Sequence, residues 1–166
     1  MLRNGPDSKV VEVANDGDGY EQLANMPRTR RPVPRKFGIL IVDDDETTRN
    51  LLNLWLRQQG FAVWLAADGR EAQEIYRRSR SLIDLALLDV RMPGLDGPAT
   101  LAGLQEMNPH IHTCFMSGDL GNYAEETLLG LGAARVFSKP FDWAEVMQVL
   151  WELAKKADLS LSLQKT

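Results

Sequence analysis

Five residues, Leu85-Ala86-Leu87-Leu88-Asp89, constrain this chain more than any others. Four apolar residues run without interruption into an aspartate, and Val90-Arg91-Met92-Pro93-Gly94-Leu95-Asp96-Gly97-Pro98 follows at once. An unbroken apolar run reads as a strand covered on both faces, the pattern of a parallel sheet. The prolines and glycines at 93, 94, 97 and 98 then force the chain out of the sheet as a loop. Asp89 is thereby placed at the carboxyl end of a buried strand, the edge of an open α/β sheet where sites are built. A lone aspartate there can also do no more than solvate a strand end. The rest of the chain decides between the two.

The other segments repeat the design. Phe37-Gly38-Ile39-Leu40-Ile41-Val42 reads as a buried strand and ends in Asp43-Asp44-Asp45-Glu46. Thr47 or Thr48 is placed to cap a helix carrying Leu51, Leu52, Trp55 and Leu56 and closed by Gly60. Phe61 to Leu65 is a second strand, and Asp68-Gly69-Arg70-Glu71 opens a helix with Ala72, Ile75 and Tyr76 inward. After the run ending at Asp89, a helix is expected from about Pro98 to Met107. His112 to Met116 is the fourth strand, running into Ser117-Gly118-Asp119. A helix around Tyr123 to Leu131 stops at Gly132, and Arg135-Val136-Phe137 leads into Ser138-Lys139-Pro140-Phe141. The last helix spans about Asp142 to Ala157. Five strands alternating with five helices over short loops predict an α/β fold of βαβ units around a parallel sheet. Val42 and Leu88 pass directly into acidic residues and Met116 into a hydroxyl, all on one sheet edge. No fold requires that.

Bulk properties bound the alternatives. The 166 residues, 44% hydrophobic and 25% charged, suit one soluble domain with tails. No apolar run approaches the roughly 18 residues of a membrane span, and no signal-peptide core follows Met1. Cys114 is the only cysteine, so no internal disulfide forms and a cytoplasmic location is expected. Residues 1–36 carry 7 Lys/Arg against 5 Asp/Glu, while the remainder carries 12 against 18. That acidic body argues against direct nucleic-acid contact. Residues 1–35 lack apolar periodicity and close on a basic, proline-bearing run, so they read as a disordered arm, with a docking peptide or nucleic-acid contact as the alternative. The folded domain is expected over 36–157, followed by a frayed tail over 158–166.

The aspartate cluster, Asp89 with its Met-Pro-Gly-x-Asp-Gly turn, Ser117-Gly118 and Lys139-Pro140-Phe141 together resemble the receiver domain of two-component response regulators. The likeness covers residues 37–157. It implies a flavodoxin-like (βα)5 fold, with a five-stranded parallel sheet of order 2-1-3-4-5 and helices on both faces. It also implies that Asp89 is the phosphoacceptor, giving an acyl phosphate, with Mg2+ and the Lys139 ammonium neutralising the phosphoryl oxygens. Asp43 and Asp44 match the acid pair, with Asp44, Asp89 and the Arg91 main-chain carbonyl as direct metal ligands. That is an oxygen-only set of the kind Mg2+ prefers. Ser117 would turn its hydroxyl toward the phosphoryl group, and Gly118 would leave room for it. Pro140 would follow a cis bond and help position Lys139. Arg91 and Asp119 would stand at the mouth where water enters. Asp45 and Glu46 read more simply as favouring the helix N-terminus.

The chain departs from this pattern where many receivers carry Tyr or Phe three residues before the lysine. Here Val136 stands there, and alternation turns Phe137 to the other face. Trp151 and Met147 are expected beside Val136 as an exposed apolar patch on the face of the fourth helix, fifth strand and fifth helix; the plainer alternative is that Trp151 covers the sheet edge. The implied protein is a stand-alone phosphoacceptor signalling protein rather than an enzyme, with only self-directed phosphotransfer and autodephosphorylation. Its expected partners are a sensor histidine kinase or histidine phosphotransfer protein, a downstream protein target, and a second copy in a phosphorylation-dependent homodimer. A membrane partner is not expected. The rival readings are a pseudo-receiver that binds without phosphorylation, an aspartate-dependent phosphatase, and a flavin carrier. The phosphatase class wants a second aspartate where Arg91 stands, and the flavin carrier wants a phosphate loop where the chain is acidic. His110, His112 and a buried, inert Cys114 read as structural.

Overall fold

The computed structural model describes residues 35–163, and side chains as far as 157. Apart from Arg35, the expected arm lies outside the described residues, as does the end of the expected tail. Five strands, β1 (Gly38–Val42), β2 (Ala62–Ala66), β3 (Leu85–Asp89), β4 (His112–Ser117) and β5 (Arg135–Ser138), alternate with five helices. These are α1 (Glu46–Gln58), α2 (Gly69–Ser79), α3 (Gly97–Met107), α4 (Glu125–Gly130) and α5 (Trp143–Leu163). All strand pairs are parallel, in the order β2-β1-β3-β4-β5. No helix among the described residues is long and apolar enough to cross a membrane.

Strand alternation divides the core in two. Ile39, Ile41, Leu85, Leu87, Cys114, Met116 and Phe137 meet Leu52 and Leu56 of α1 and Val146, Leu150 and Leu153 of α5. Leu40, Val42, Ala86, Leu88 and Phe115 meet Tyr76 of α2, Leu101 and Leu104 of α3 and Leu128 of α4. Phe137 is buried on the first face, as alternation predicted, and Val136 packs half-buried on the second. Burial pushes the Cys114 thiol up to about 12, which leaves it inert.

Several element ends differ from expectation for local reasons. Asp45, not a threonine, caps α1, because its carboxylate accepts from the amides of both Thr47 and Thr48. Asp68 caps α2 by accepting from Glu71 N–H, and the Glu71 carboxylate accepts from the N–H of Ala67, the residue before the cap. α4 is shorter than expected, since Ala124 is extended at φ −81° and ψ 149° and the helix begins only at Glu125. α5 runs past the expected end at Ala157 to Leu163; neither Gly nor Pro interrupts 155–163.

Candidate functional site

The carboxyl ends of β1, β3, β4 and β5 converge on one edge. Pairing carries on just past the strands: Asp43 N–H donates to Ala66 O, and Lys139 N–H donates to Ser117 O. The period of two therefore still holds there. Asp43 continues the Ile39 and Ile41 face, Asp89 the Leu85 and Leu87 face, and Lys139 the Phe137 face. All three side chains consequently meet. Lys139 Nζ donates to Asp43 Oδ2 at 2.7 Å and to Asp89 Oδ1 at 2.5 Å.

Asp43 is 1% exposed, and its acceptors are taken. Its Oδ1 accepts from Asp45 N–H at 2.9 Å, and its carbonyl accepts from the Arg49 guanidinium at 2.6 Å. Asp89, 6% exposed, accepts on Oδ2 from Arg91 N–H at 2.9 Å. Burial holds the Asp89 carboxyl above the usual carboxylate range, although Lys139 pulls the other way. Burial pulls the Lys139 pKa down, but its bonds to Asp43 and Asp89 outweigh that and hold it above its ordinary value. Gly97 brings α3 hard against the site: a Cβ there would stand 2.4 Å from the Asp89 carbonyl oxygen.

Ser117 extends from the neighbouring strand end, and its Oγ is buried with no hydrogen-bond partner among the described residues. Such a hydroxyl is costly to leave unpaired and is ready for an acceptor that arrives later. Gly118 leaves space, since a Cβ there would meet nothing closer than Lys139 Cβ at 3.9 Å. Arg91 and Asp119 do meet at the mouth, in an exposed ion pair of 2.7 Å. The Lys139–Pro140 bond is cis.

Asp44 is exposed beside this cluster. The resemblance groups it with Asp89 and the Arg91 carbonyl as hard oxygen donors. Among the described residues no group of three or more His, Cys, Asp or Glu could hold a metal alone. Mg2+ takes one or two carboxylates and completes its shell with water and phosphate oxygens. His110 and His112 belong to no such group.

The expected apolar patch does not assemble. Trp151 is 45% exposed, but its ring packs against Phe61 at 4.9 Å, toward β2. Met147 packs with the α1–α5 core, on the opposite side of the sheet from Val136. The α4–β5–α5 face instead holds a polar groove of about 320 Å3, lined by Glu125, Arg135, Val136, Ser138, Pro140, Asp142 and Glu145. Arg135 is bonded there to Glu145. The turn of α5 that was expected to face outward is rotated toward α1, where Trp143 and Trp55 also meet at 4.5 Å.

Two contributors escaped sequence reasoning. Arg49, one turn into α1, was a detectable signal: a cation four residues after the capping aspartate. The second, Tyr123, donates its hydroxyl to Asp96 Oδ2 at 2.8 Å across 27 residues, and no local pattern announces it.

The chain matches the family model described as the response regulator receiver domain over residues 39–150. It is 37% identical over 110 residues to sporulation initiation phosphotransferase F of Bacillus subtilis, covering 65% of this chain and 86% of that protein. It is likewise 37% identical to the transcriptional regulatory protein ZraR of Escherichia coli, covering 68% of this chain but only 25% of that longer protein. Among solved structures, the CheX-CheY-BeF3-Mg2+ complex from Borrelia burgdorferi aligns with a TM-score of 0.66 at 31% identity, covering 70% of this chain and 88% of that one. The parallel order 2-1-3-4-5, the carboxylate–lysine cluster at its carboxyl edge and these matches agree, and the chain belongs to the response regulator receiver domain family of two-component signalling.

Proposed function

We propose that Asp89 accepts a phosphoryl group from the phosphohistidine of a sensor kinase or histidine phosphotransfer protein. A carboxylate oxygen of Asp89 attacks phosphorus, the P–N bond to imidazole breaks, and an acyl phosphate forms. Asp44, Asp89 and the Arg91 carbonyl are the residues we assign to Mg2+, which supplies charge neutralisation when bound. Asp43, bonded through Oδ2 to the Lys139 ammonium, positions that group beside Asp89. The Lys139 ammonium is already bonded to Asp89, so it faces the oxygens on which charge develops. Ser117 Oγ supplies a hydrogen bond once a phosphoryl oxygen arrives. The signal then leaves through protein contacts on the α4–β5–α5 face.

The observation that carries this reading is one buried aspartate bonded to a lysine beside a buried hydroxyl with no partner. Incubation with acetyl phosphate and Mg2+ is expected to add one phosphoryl mass to the protein. Asp89→Asn is expected to abolish it. Undiminished labelling of that variant would overturn the assignment.

A further inference from the structure

The segment between β4 and α4 is tied down by side chains rather than by a well-made helix start. Ala124, at the cap position of α4, offers no side-chain hydrogen bond. Two links reach from this segment to the residues after β3. Asp119 pairs with Arg91, and the Tyr123 hydroxyl donates to Asp96 Oδ2. Asp96 is at the same time the N-cap of α3, its Oδ1 accepting from Ala99 N–H at 2.9 Å. A groove of about 350 Å3 lies between the two segments, with Val90, Met92 and Leu120 among its lining residues. The Tyr123 ring packs against the same core face as Val136.

Ser117 begins this segment, and its Oγ lacks a partner. A phosphoryl group on Asp89 gives that hydroxyl an acceptor and draws the start of the segment toward the site. The far end is held by Tyr123 on Asp96, so the pull falls on that hydrogen bond. Val136 carries no ring that could move in response. We propose that the Tyr123–Asp96 hydrogen bond is a latch that holds the β4–α4 segment in its unphosphorylated position, and that its release carries the signal toward α4 and β5. The proposal rests on Asp89 being the phosphoacceptor and adds the regulation of that same site.

The test compares wild type, Tyr123→Phe and Asp96→Asn by amide chemical shifts, with and without beryllofluoride and Mg2+, and by the rate of labelling with acetyl phosphate. Tyr123→Phe removes only the hydroxyl. It is expected to move the amides of 118–125 toward their beryllofluoride-bound positions before any ligand is added, and to speed labelling about five-fold, the factor one net hydrogen bond is worth. Asp96→Asn keeps one oxygen for the cap of α3 and turns an amide NH2 toward Tyr123, whose hydroxyl oxygen then accepts where it had donated, so the link is retained in reverse and the variant is expected to lie nearest wild type in both. If wild type is labelled and binds beryllofluoride while Tyr123→Phe shows neither change, the latch is wrong and the phosphoacceptor reading stands. If wild type takes neither phosphoryl group nor beryllofluoride, that reading fails and the latch falls with it.

Discussion

The two sides of the Asp89 site are built differently. On the α1 side, Asp43 is engaged at all three oxygens, Asp45 caps the helix with two hydrogen bonds, and Arg49 closes the turn from above. On the α4 side, Ser117 Oγ has no partner among the described residues, α4 is six residues long without a side-chain cap, and its approach is held by one exposed ion pair and one part-buried hydrogen bond. One side is fixed before any ligand binds, as a site that must position charge requires. The other has hydrogen-bonding capacity in reserve and little local stability to oppose a shift. A receiver needs both properties, and this chain separates them in space.

The comparison breaks most severely if the fixed side is discharged. Lys139→Met removes the cation bonded to both buried carboxylates and is expected to slow labelling of Asp89 by about 100-fold, the scale of a lost preorganised donor. A rate within two-fold of wild type would remove Lys139 from the chemistry. The next effect falls on the α4 side. Arg91→Ala and Asp119→Ala each open the ion pair at the mouth and are expected to change the phosphoryl half-life several-fold, on the order of 3–10. The pair is exposed, so thermal midpoints are expected to stay put; unchanged half-lives in both variants would exclude the pair from the mechanism.

Giving α4 what α1 already has sharpens the contrast. Ala124→Asp supplies the missing cap and is expected to stabilise the domain by about 0.5–1 kcal/mol in urea titration. The same change is expected to shrink the beryllofluoride-induced shifts at 118–125. The smallest effect lies at the far end of β4. Burial is the main cause holding the His112 pKa below its ordinary value of 6.5, with Lys156 adding to it and Asp84 opposing. The folded chain therefore favours the neutral imidazole. That contribution to stability is complete above the unfolded pKa and is lost as pH falls through the lower folded value. His112→Gln is expected to flatten this part of the stability curve below pH 6.5, and an unaltered slope would contradict it.

Most of the site was legible in order along the chain, because its members sit directly after apolar runs. A strand that ends in aspartate, hydroxyl or lysine announces both its direction and its cargo, and period-two alternation correctly turned Phe137 inward. Helix ends were less legible. Asp45 and Thr47 compete for the same cap, and which carboxylate turns back onto the amides depends on where Asp43 is already held. Trp151 misled for a related reason. A helical wheel fixes angles between residues but not the rotation of the helix against its neighbours, and here aromatic contacts with Phe61 and Trp55 set that rotation.

The sequence by itself determined the alternation of strands and helices, the identity of the residues at the strand ends, and the family to which they belong. The alternation follows from local patterns of hydrophobicity and chain-breaking residues, read within one element at a time, and the family from the resemblance of the strand-end motifs taken together. Only the tertiary structure decided which of those residues are joined. Lys139 lies 96 residues from Asp43 and 50 from Asp89, Tyr123 lies 27 from Asp96, and the Ser117 hydroxyl is buried with no hydrogen-bond partner among the described residues. Distances of that kind are set when a parallel sheet brings remote strand ends side by side, and no local pattern encodes them.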